Sequence, residues 1–271
     1  MKMKRAIVKF AKHILVAAAA LALFYCFPIP IILFTLCGFC DVSRNQGLDA
    51  GVLKQYFLKN GFATWLASPV NILLDVLSLP FSNKGIYDLS DLPLSYQSEI
   101  RNLLRSADES DLPNLLRHRS NESQRSMFFF KWYGRDAQAP VAVPGFQREF
   151  KYVRTIGVSI FREHESTSRH FGPFRATIRL LYCLGEIKDE NAYIRVGTTE
   201  NHWNEKRLFI FDDTLLHQSF NETDESRVCL FVDLVRPSYI SFVFDGAVWA
   251  IRMIFKGMNG IFYKNSKLVN N

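Results

Sequence analysis

The sequence predicts a mainly β protein, a small β-barrel or sandwich flanked by apolar segments at both ends. Three observations predict it. Residues 152–161, 176–184, 207–211 and 228–235 are short runs rich in β-branched and aromatic side chains, separated by clusters of Gly, Pro, Asn and Asp. Hydrophobic residues make up 48% of the 271 and aromatics 14%, too apolar for a disordered chain and enough for a sizeable core. Residues 14–40 carry no charge at all.

That uncharged run follows Lys2, Lys4, Arg5, Lys9 and Lys12. A helix needs about 20 apolar residues to cross a bilayer core, so residues 1–40 read as a basic N-terminus and membrane anchor. A cleaved signal peptide is the competing reading, but the run is much longer than a typical apolar leader core and shows no convincing A-x-A cleavage site. Pro28 and Pro30 predict a kink or a return turn within it. Residues 41–90 form a connector whose apolar stretch, 61–80, holds one acid, Asp75. It reads either as a second span or as an amphipathic helix in the membrane interface with Trp65 at headgroup level. The basic end predicts a cytoplasmic N-terminus; one span would put the following domain outside, and two spans or a hairpin would return it to the cytoplasm.

The next unit is 91–237. Ser95 ahead of an apolar-periodic run predicts a helix starting near Tyr96. Residues 106–125 are polar, and Arg117, His118, Arg119 and Arg125 make either a solvated face or an anion site for lipid phosphates. M-F-F-F-K-W-Y-G-R, residues 127–135, reads as a strand entering the domain. The tail, 238–271, is apolar and aromatic with Arg252, Lys256, Lys264 and Lys267 interspersed, which predicts a basic amphipathic helix at a membrane surface. The net charge of +7 therefore belongs to the ends. Residues 1–13 hold five basic residues and no acid, and 238–271 hold four against one, leaving 24 basic against 25 acidic between them. Nucleic acid is not the partner such a distribution predicts; a bilayer is.

Two histidines stand out, His170 in S-R-H-F-G-P-F-R-A-T-I-R and His217 in F-D-D-T-L-L-H-Q-S-F-N-E-T. A β-barrel has a mouth where side chains from separate strands converge, so residues distant in sequence can meet there as imidazole ligands. Imidazole suits Fe(II), Zn and Cu, and two histidines with open coordination positions are the protein half of a non-haem oxygenase site.

The H-x-G-P segment, Arg179 nine residues after His170, the R-V-G of Arg195 to Gly197, Trp203, F-D-D-T before His217, N-E-T after it, and Arg227 opening a run that closes in V-D-L-V-R-P are similar, in order and spacing, to the aspartyl/asparaginyl β-hydroxylase family. The resemblance covers 153–237. It implies an Fe(II)- and 2-oxoglutarate-dependent, O2-using oxygenase on a double-stranded β-helix of the jelly-roll or cupin kind. It also implies His170 and His217 as iron ligands, Ser159 and Arg227 as the holders of the distal carboxylate of 2-oxoglutarate, and Arg179 near the co-substrate's other end. Arginine suits that task because its planar fork gives a carboxylate two parallel charge-assisted hydrogen bonds.

Two positions depart from the family. The lipid-modifying branch carries Asp two residues after the first histidine; here stands Gly172, as in the peptidyl hydroxylases. Leu181 occupies a place where many relatives have a histidine that contacts 2-oxoglutarate. The apolar ends, and S-P-V-N-I-L-L-D-V-L-S-L-P with I-Y-D-L-S-D-L-P, resemble the bacterial membrane-bound branch that hydroxylates lipid A acyl chains. The resemblance thus implies a hydroxylase of a lipid A acyl chain, held at the inner membrane with its catalytic domain facing the cytoplasm, where 2-oxoglutarate and reduced iron are supplied. Gly172 motivates the alternative, hydroxylation of Asp or Asn side chains in a protein. Gly172 and Leu181 together motivate a third, a catalytically silent membrane-tethered binding domain.

The remaining candidates have plainer readings. His13, His118 and His202 read as surface residues, and His164 as a loop residue or a substrate contact. Asp212 and Asp213 form a turn, from which Asp213, four residues before His217, could orient an iron-bound water or a histidine. Cys26, Cys37, Cys40, Cys183 and Cys229 lie in the apolar run or in predicted strands, a reduced pattern with no disulfide framework.

Overall fold

A computed structural model describes residues 25–117, 124–256 and 267–268. The basic N-terminus with His13, the first part of the uncharged run, and His118 and Arg119 lie outside the described residues, as do residues 257–266, with Lys264, and 269–271 of the tail.

Three helices come first: α1 (Pro28–Val42), α2 (Ala50–Leu58) and α3 (Phe62–Leu77). The break anticipated at the prolines falls at Phe27, whose φ of −135° and ψ of 56° leave helical geometry immediately before Pro28. Tyr25 and Cys26 before it are helical, so the prolines interrupt the helix at Phe27: the residue before a proline is disfavoured in the α region, whereas proline at the first helical position of α1 loses no hydrogen bond. Among the described residues no helix is long and apolar enough to cross a membrane. This corrects the expectation of membrane helices for the described part of the chain. α1 has 15 residues, and α3 turns Thr64, Ser68 and Asn71 into the protein, which rules out a second span at 61–80.

Then come β1 (Ile86–Tyr87), α4 (Leu94–Glu109), α5 (Leu112–Arg117), β2 (Arg125–Trp132), β3 (Arg135–Asp136) and α6 (Pro144–Gln147). The helix expected near Tyr96 starts two residues earlier. β4 (Val153–Phe161), β5 (Glu165–Ser166), β6 (Thr177–Leu184), β7 (Ala192–Val196), β8 (Thr199–His202), β9 (Leu208–Phe211), β10 (His217–Asn221) and β11 (Arg227–Val235) follow, and α7 (Ser241–Lys256) and β12 (Lys267–Leu268) close the chain.

From β4 to β11 the chain passes repeatedly between two sheets. The larger has the order β1-β9-β6-β11-β4-β2-β12, and the smaller β5-β10-β7-β8. This is the jelly-roll, or double-stranded β-helix, order, in which most of the paired strands are not sequential neighbours. The alternation of strand side chains divides the core in two. On the outer face of the large sheet, Val158, Leu180 and Leu230 pack against Ile100 and Leu103 of α4 and Phe244 of α7. On the inner face, Leu181, Cys183, Phe211 and Cys229 meet Ile194 and Val196 of the small sheet. A third cluster joins the first helices to the barrel: Val42, Val52 and Tyr56 pack on Phe171 and Leu216, the neighbours of the two histidines.

Candidate active site

The two histidines, 47 positions apart in the chain, are brought together by the backbone. The amide of His170 donates to the carbonyl of His217 at 3.0 Å, and the amide of His217 returns the bond at 2.9 Å. They form a reciprocal antiparallel pair, and their ring centroids lie 4.2 Å apart. Nδ1 of His170 lies 2.6 Å from the carbonyl of Ser168, and Nδ1 of His217 lies 2.8 Å from that of Leu215. A carbonyl only accepts, so each Nδ1 carries the hydrogen and each Nε2 keeps a free lone pair, the arrangement a metal needs. Burial lowers the pKa of both rings, His217 well below the usual imidazole value, which keeps them neutral.

Gly172 and Asp213 explain one another. A Cβ built on Gly172 would fall on the carboxylate of Asp213, and the Gly172 amide donates to the Asp213 carbonyl at 2.8 Å. The carboxylate absent from position 172 is thus replaced in space by one from the turn before β10. Asp213 Oδ1 lies 3.4 Å from Nε2 of His217 and is ion-paired to Arg179. Arg179 also binds Asp233 at 3.0 Å and stacks on the Phe231 ring at 4.2 Å. It lies beside the histidines, bridging two carboxylates. Among the described residues no group of three His, Cys, Asp or Glu side chains forms a metal cage.

Arg227 opens β11 opposite Phe161 of β4, and Ser159 lies opposite Cys229, so all four share the inner face. The guanidinium sits 4.1 Å over the Phe161 ring and 5.8 Å from Trp203. The residue is 2% exposed, yet among the described residues the guanidinium has one hydrogen bond, a long one from Nη1 to the Phe220 carbonyl at 3.4 Å. Its Nε and the nearby Trp203 Nε1 are buried with no partner among the described residues. A buried cation with unsatisfied donors is costly unless an anion completes it. Ser159 donates to the Cys229 carbonyl at 3.3 Å. The donor set therefore fits the implied groups: two neutral imidazoles for a divalent metal, and Arg227 with Ser159 for a co-substrate carboxylate.

Two residues without an assigned role in the sequence hold this site in place. Arg175 is 1% exposed, and its guanidinium is ion-paired to Asp41 of α1, Asp75 of α3 and Asp212. Burial alone would raise the Asp212 carboxyl, but Arg175 and Arg44 reverse this and hold it well below the usual carboxylate range. Arg236 adds bonds to Asp75 at 2.7 Å and to Ser78 at 2.9 Å. Arginines following H-x-G-P and closing V-R-P were the available signals, but their partners on the first helices lie 100 or more residues away. His164 sits in an exposed turn, paired with Asp224 at 3.0 Å. His202, at the end of β8, stacks on Tyr193 of β7. All five cysteines are free.

The profile of the aspartyl/asparaginyl β-hydroxylase family matches residues 96–237, just over half of the chain. The chain belongs to this family of hydroxylases. Among curated relatives, the ornithine lipid ester-linked acyl 2-hydroxylase of Rhizobium tropici is 39% identical over 80 residues, 29% of this chain and 28% of the relative. Aspartate beta-hydroxylase domain-containing protein 2 of Rattus norvegicus is 33% identical over 84 residues, 30% and 24%. The matched stretches span less than a third of either relative. Among solved structures, a 2OG-Fe(II) oxygenase family oxidoreductase from Burkholderia pseudomallei overlaps 50% of this chain and 79% of its own, at 13% identity and a TM-score of 0.32. A cupin superfamily protein from Desulfitobacterium hafniense overlaps 43% and 82%, at 14% identity and a TM-score of 0.28.

Proposed function

We propose that this chain is an Fe(II)- and 2-oxoglutarate-dependent hydroxylase of an acyl chain carried by a membrane lipid. The observations that carry the oxygenase reading are two paired imidazoles at the small sheet, each with Nδ1 against a backbone carbonyl, and, on the inner face of the large sheet, a buried Arg227 whose Nε has no partner among the described residues. When bound, iron with 2-oxoglutarate and O2 supplies insertion of one oxygen atom into a C–H bond, the co-substrate leaving as succinate and CO2. His170 and His217 would hold the metal. Arg227, with Ser159, would hold the carboxylate far from it, and the surrounding Leu181, Phe211 and Cys229 would keep bulk water away. Asp213, held by Arg179 and seated in the space above Gly172, would orient what binds beside His217.

The lipid reading is supported by the relative named for acyl 2-hydroxylation. Gly172 favours the second reading, a peptidyl aspartyl/asparaginyl hydroxylase, but its weight is reduced because Asp213 brings a carboxylate to the same place. The silent-domain reading is opposed by the complete set of His170, His217 and Arg227.

The test compares whole-lipid mass spectra of cells with and without the gene. A species heavier by one oxygen, in lipid A or in an aminolipid, should disappear with the gene and return with the intact chain but not with His217→Ala. His217→Ala should also abolish Fe(II) binding with the fold retained by circular dichroism. Unchanged lipids together with lost Asp or Asn hydroxylation in the proteome would establish the peptidyl reading instead. Normal iron binding in both His170→Ala and His217→Ala would remove the site.

A further inference from the structure

α3 carries its polar side chains inward and its apolar ones outward. Thr64, Ser68 and Asn71 are fully buried, whereas Leu66, Val70, Leu73 and Val76 are between 44% and 57% exposed. A surface helix of a protein in water has the opposite arrangement. The inward side is committed by its bonds. Thr64 donates to the Gly172 carbonyl at 3.0 Å, Asn71 accepts from the Arg175 amide at 2.9 Å, and Asp75 binds Arg175 and Arg236. α1 behaves alike: Ile29, Leu33 and Leu36 are more than half exposed, while Asp41 at its end is buried against Arg175. An aromatic seam makes the two faces continuous, Phe34 to Trp65 at 5.3 Å, Trp65 to Phe57 at 5.2 Å and Phe57 to Phe39 at 5.0 Å.

We propose that the outward faces of α1 and α3 lie in the surface layer of an anionic phospholipid bilayer, with both helices in its plane. At 1.5 Å per residue the 16 residues of α3 reach only about 24 Å, short of the roughly 30 Å hydrocarbon core, so α3 lies on the membrane rather than through it, with α1 beside it along the aromatic seam. Charge selects the partner. Residues 1–74 hold eight basic residues against two acids, six of the chain's seven net positive charges. Of those acids, Asp41 is buried and Asp49 caps α2 through the Val52 amide. An apolar face within a cationic segment is the pattern that binds anionic lipid. The uncharged residues 14–24 lead straight into α1, so the apolar sequence and the apolar face are continuous. Because the inward side of α3 holds the Gly172 carbonyl, docking would set the His170 loop at the lipid surface. This is independent of which substrate class is hydroxylated.

The test places an environment-sensitive fluorophore on one introduced, accessible cysteine in the full chain, with Cys26, Cys37 and Cys40 replaced by serine and the buried Cys183 and Cys229 kept. Probes at Leu66→Cys and Leu73→Cys should shift to the blue on phosphatidylglycerol vesicles and be quenched by acyl-brominated lipid. A probe at Lys188→Cys, in the exposed turn after β6, should do neither, and phosphatidylcholine vesicles should give a weaker response. A chain that floats with vesicles while the 66 and 73 probes stay aqueous would overturn the proposal, since attachment would then lie elsewhere. So would absence of flotation. Probes already shielded in buffer would also overturn it, because a second copy or the chain's own N-terminus would then cover the face.

Discussion

Arg175 and Arg227 are both buried arginines of the same domain, and they differ in what surrounds them. Arg175 meets three carboxylates, Asp41, Asp75 and Asp212, drawn from two helices and the turn before β10. Arg227 meets an aromatic ring, one distant carbonyl and no carboxylate among the described residues, and its Nε has no partner. Desolvating a cation is expensive in either place, so each environment has to answer for it. Around Arg175 the protein supplies the anions, which makes the residue a clamp between the first helices and the loop of His170. Around Arg227 the described residues supply no anion, which is what the proposed carboxylate site requires. Burial alone does not separate the two; the count of satisfied donors does.

Breaking the clamp should have the larger effect on stability. Arg175→Met leaves three carboxylates facing one another and should lower unfolding free energy by about 3–5 kcal/mol, read as a drop in the urea midpoint. A midpoint within error of the parent would mean that the carboxylates are hydrated and the clamp is not a clamp. Arg227→Ala should do the reverse. Its midpoint should move little, while the 2-oxoglutarate concentration needed for half-maximal turnover rises by about thirty-fold to several thousand-fold, the equivalent of roughly 2–5 kcal/mol. Arg227→Lys should recover part of this, since it restores the charge without the fork. An unchanged co-substrate requirement in Arg227→Ala would transfer the carboxylate site to another cation.

Acid should act on the clamp and spare the ligand site, and this is the smallest of the expected effects. Asp212 has a folded pKa below its unfolded value of about 3.9, so it contributes stability that is complete above that pH and is lost as pH falls toward the folded value. Replacing it by Asn should flatten the acid limb of a stability profile below about pH 4, relative to the parent chain. An identical acid limb in the two proteins would show that Arg175 and Arg44 do not hold Asp212 ionised.

Much of this was legible before the fold was known. The strand runs are local patterns, and they reappear within a residue or two as β4, β6, β9 and β11. His170, His217, Ser159 and Arg227 were marked by their motifs, and the register of β4 on β11 brings the last two together. Segment 61–80 was not resolved by its own sequence. A run of apolar residues with a few polar ones at helical spacing is compatible with a span, with an interfacial helix or with an ordinary core helix, because composition does not say which side meets the protein. α4, of the same 16-residue length, turns Tyr96, Ile100 and Leu103 inward; α3 turns Thr64, Ser68 and Asn71 inward.

What the sequence determined by itself is therefore the chemistry present and its order: short alternating strands, two histidines able to share a metal, and an arginine suited to a carboxylate. These follow from side-chain type and from periodicities of a few residues, which no distant partner can change. Only the tertiary structure decided that Asp213 occupies the space left by Gly172, that Arg175 is satisfied while Arg227 is not, and that α3 faces the protein with its polar side. Each of those depends on a partner far along the chain, 134 positions for Arg175 and Asp41 and 108 for Thr64 and Gly172. A desolvated charge or hydroxyl has no meaning until the group that answers it has been brought within about 3 Å.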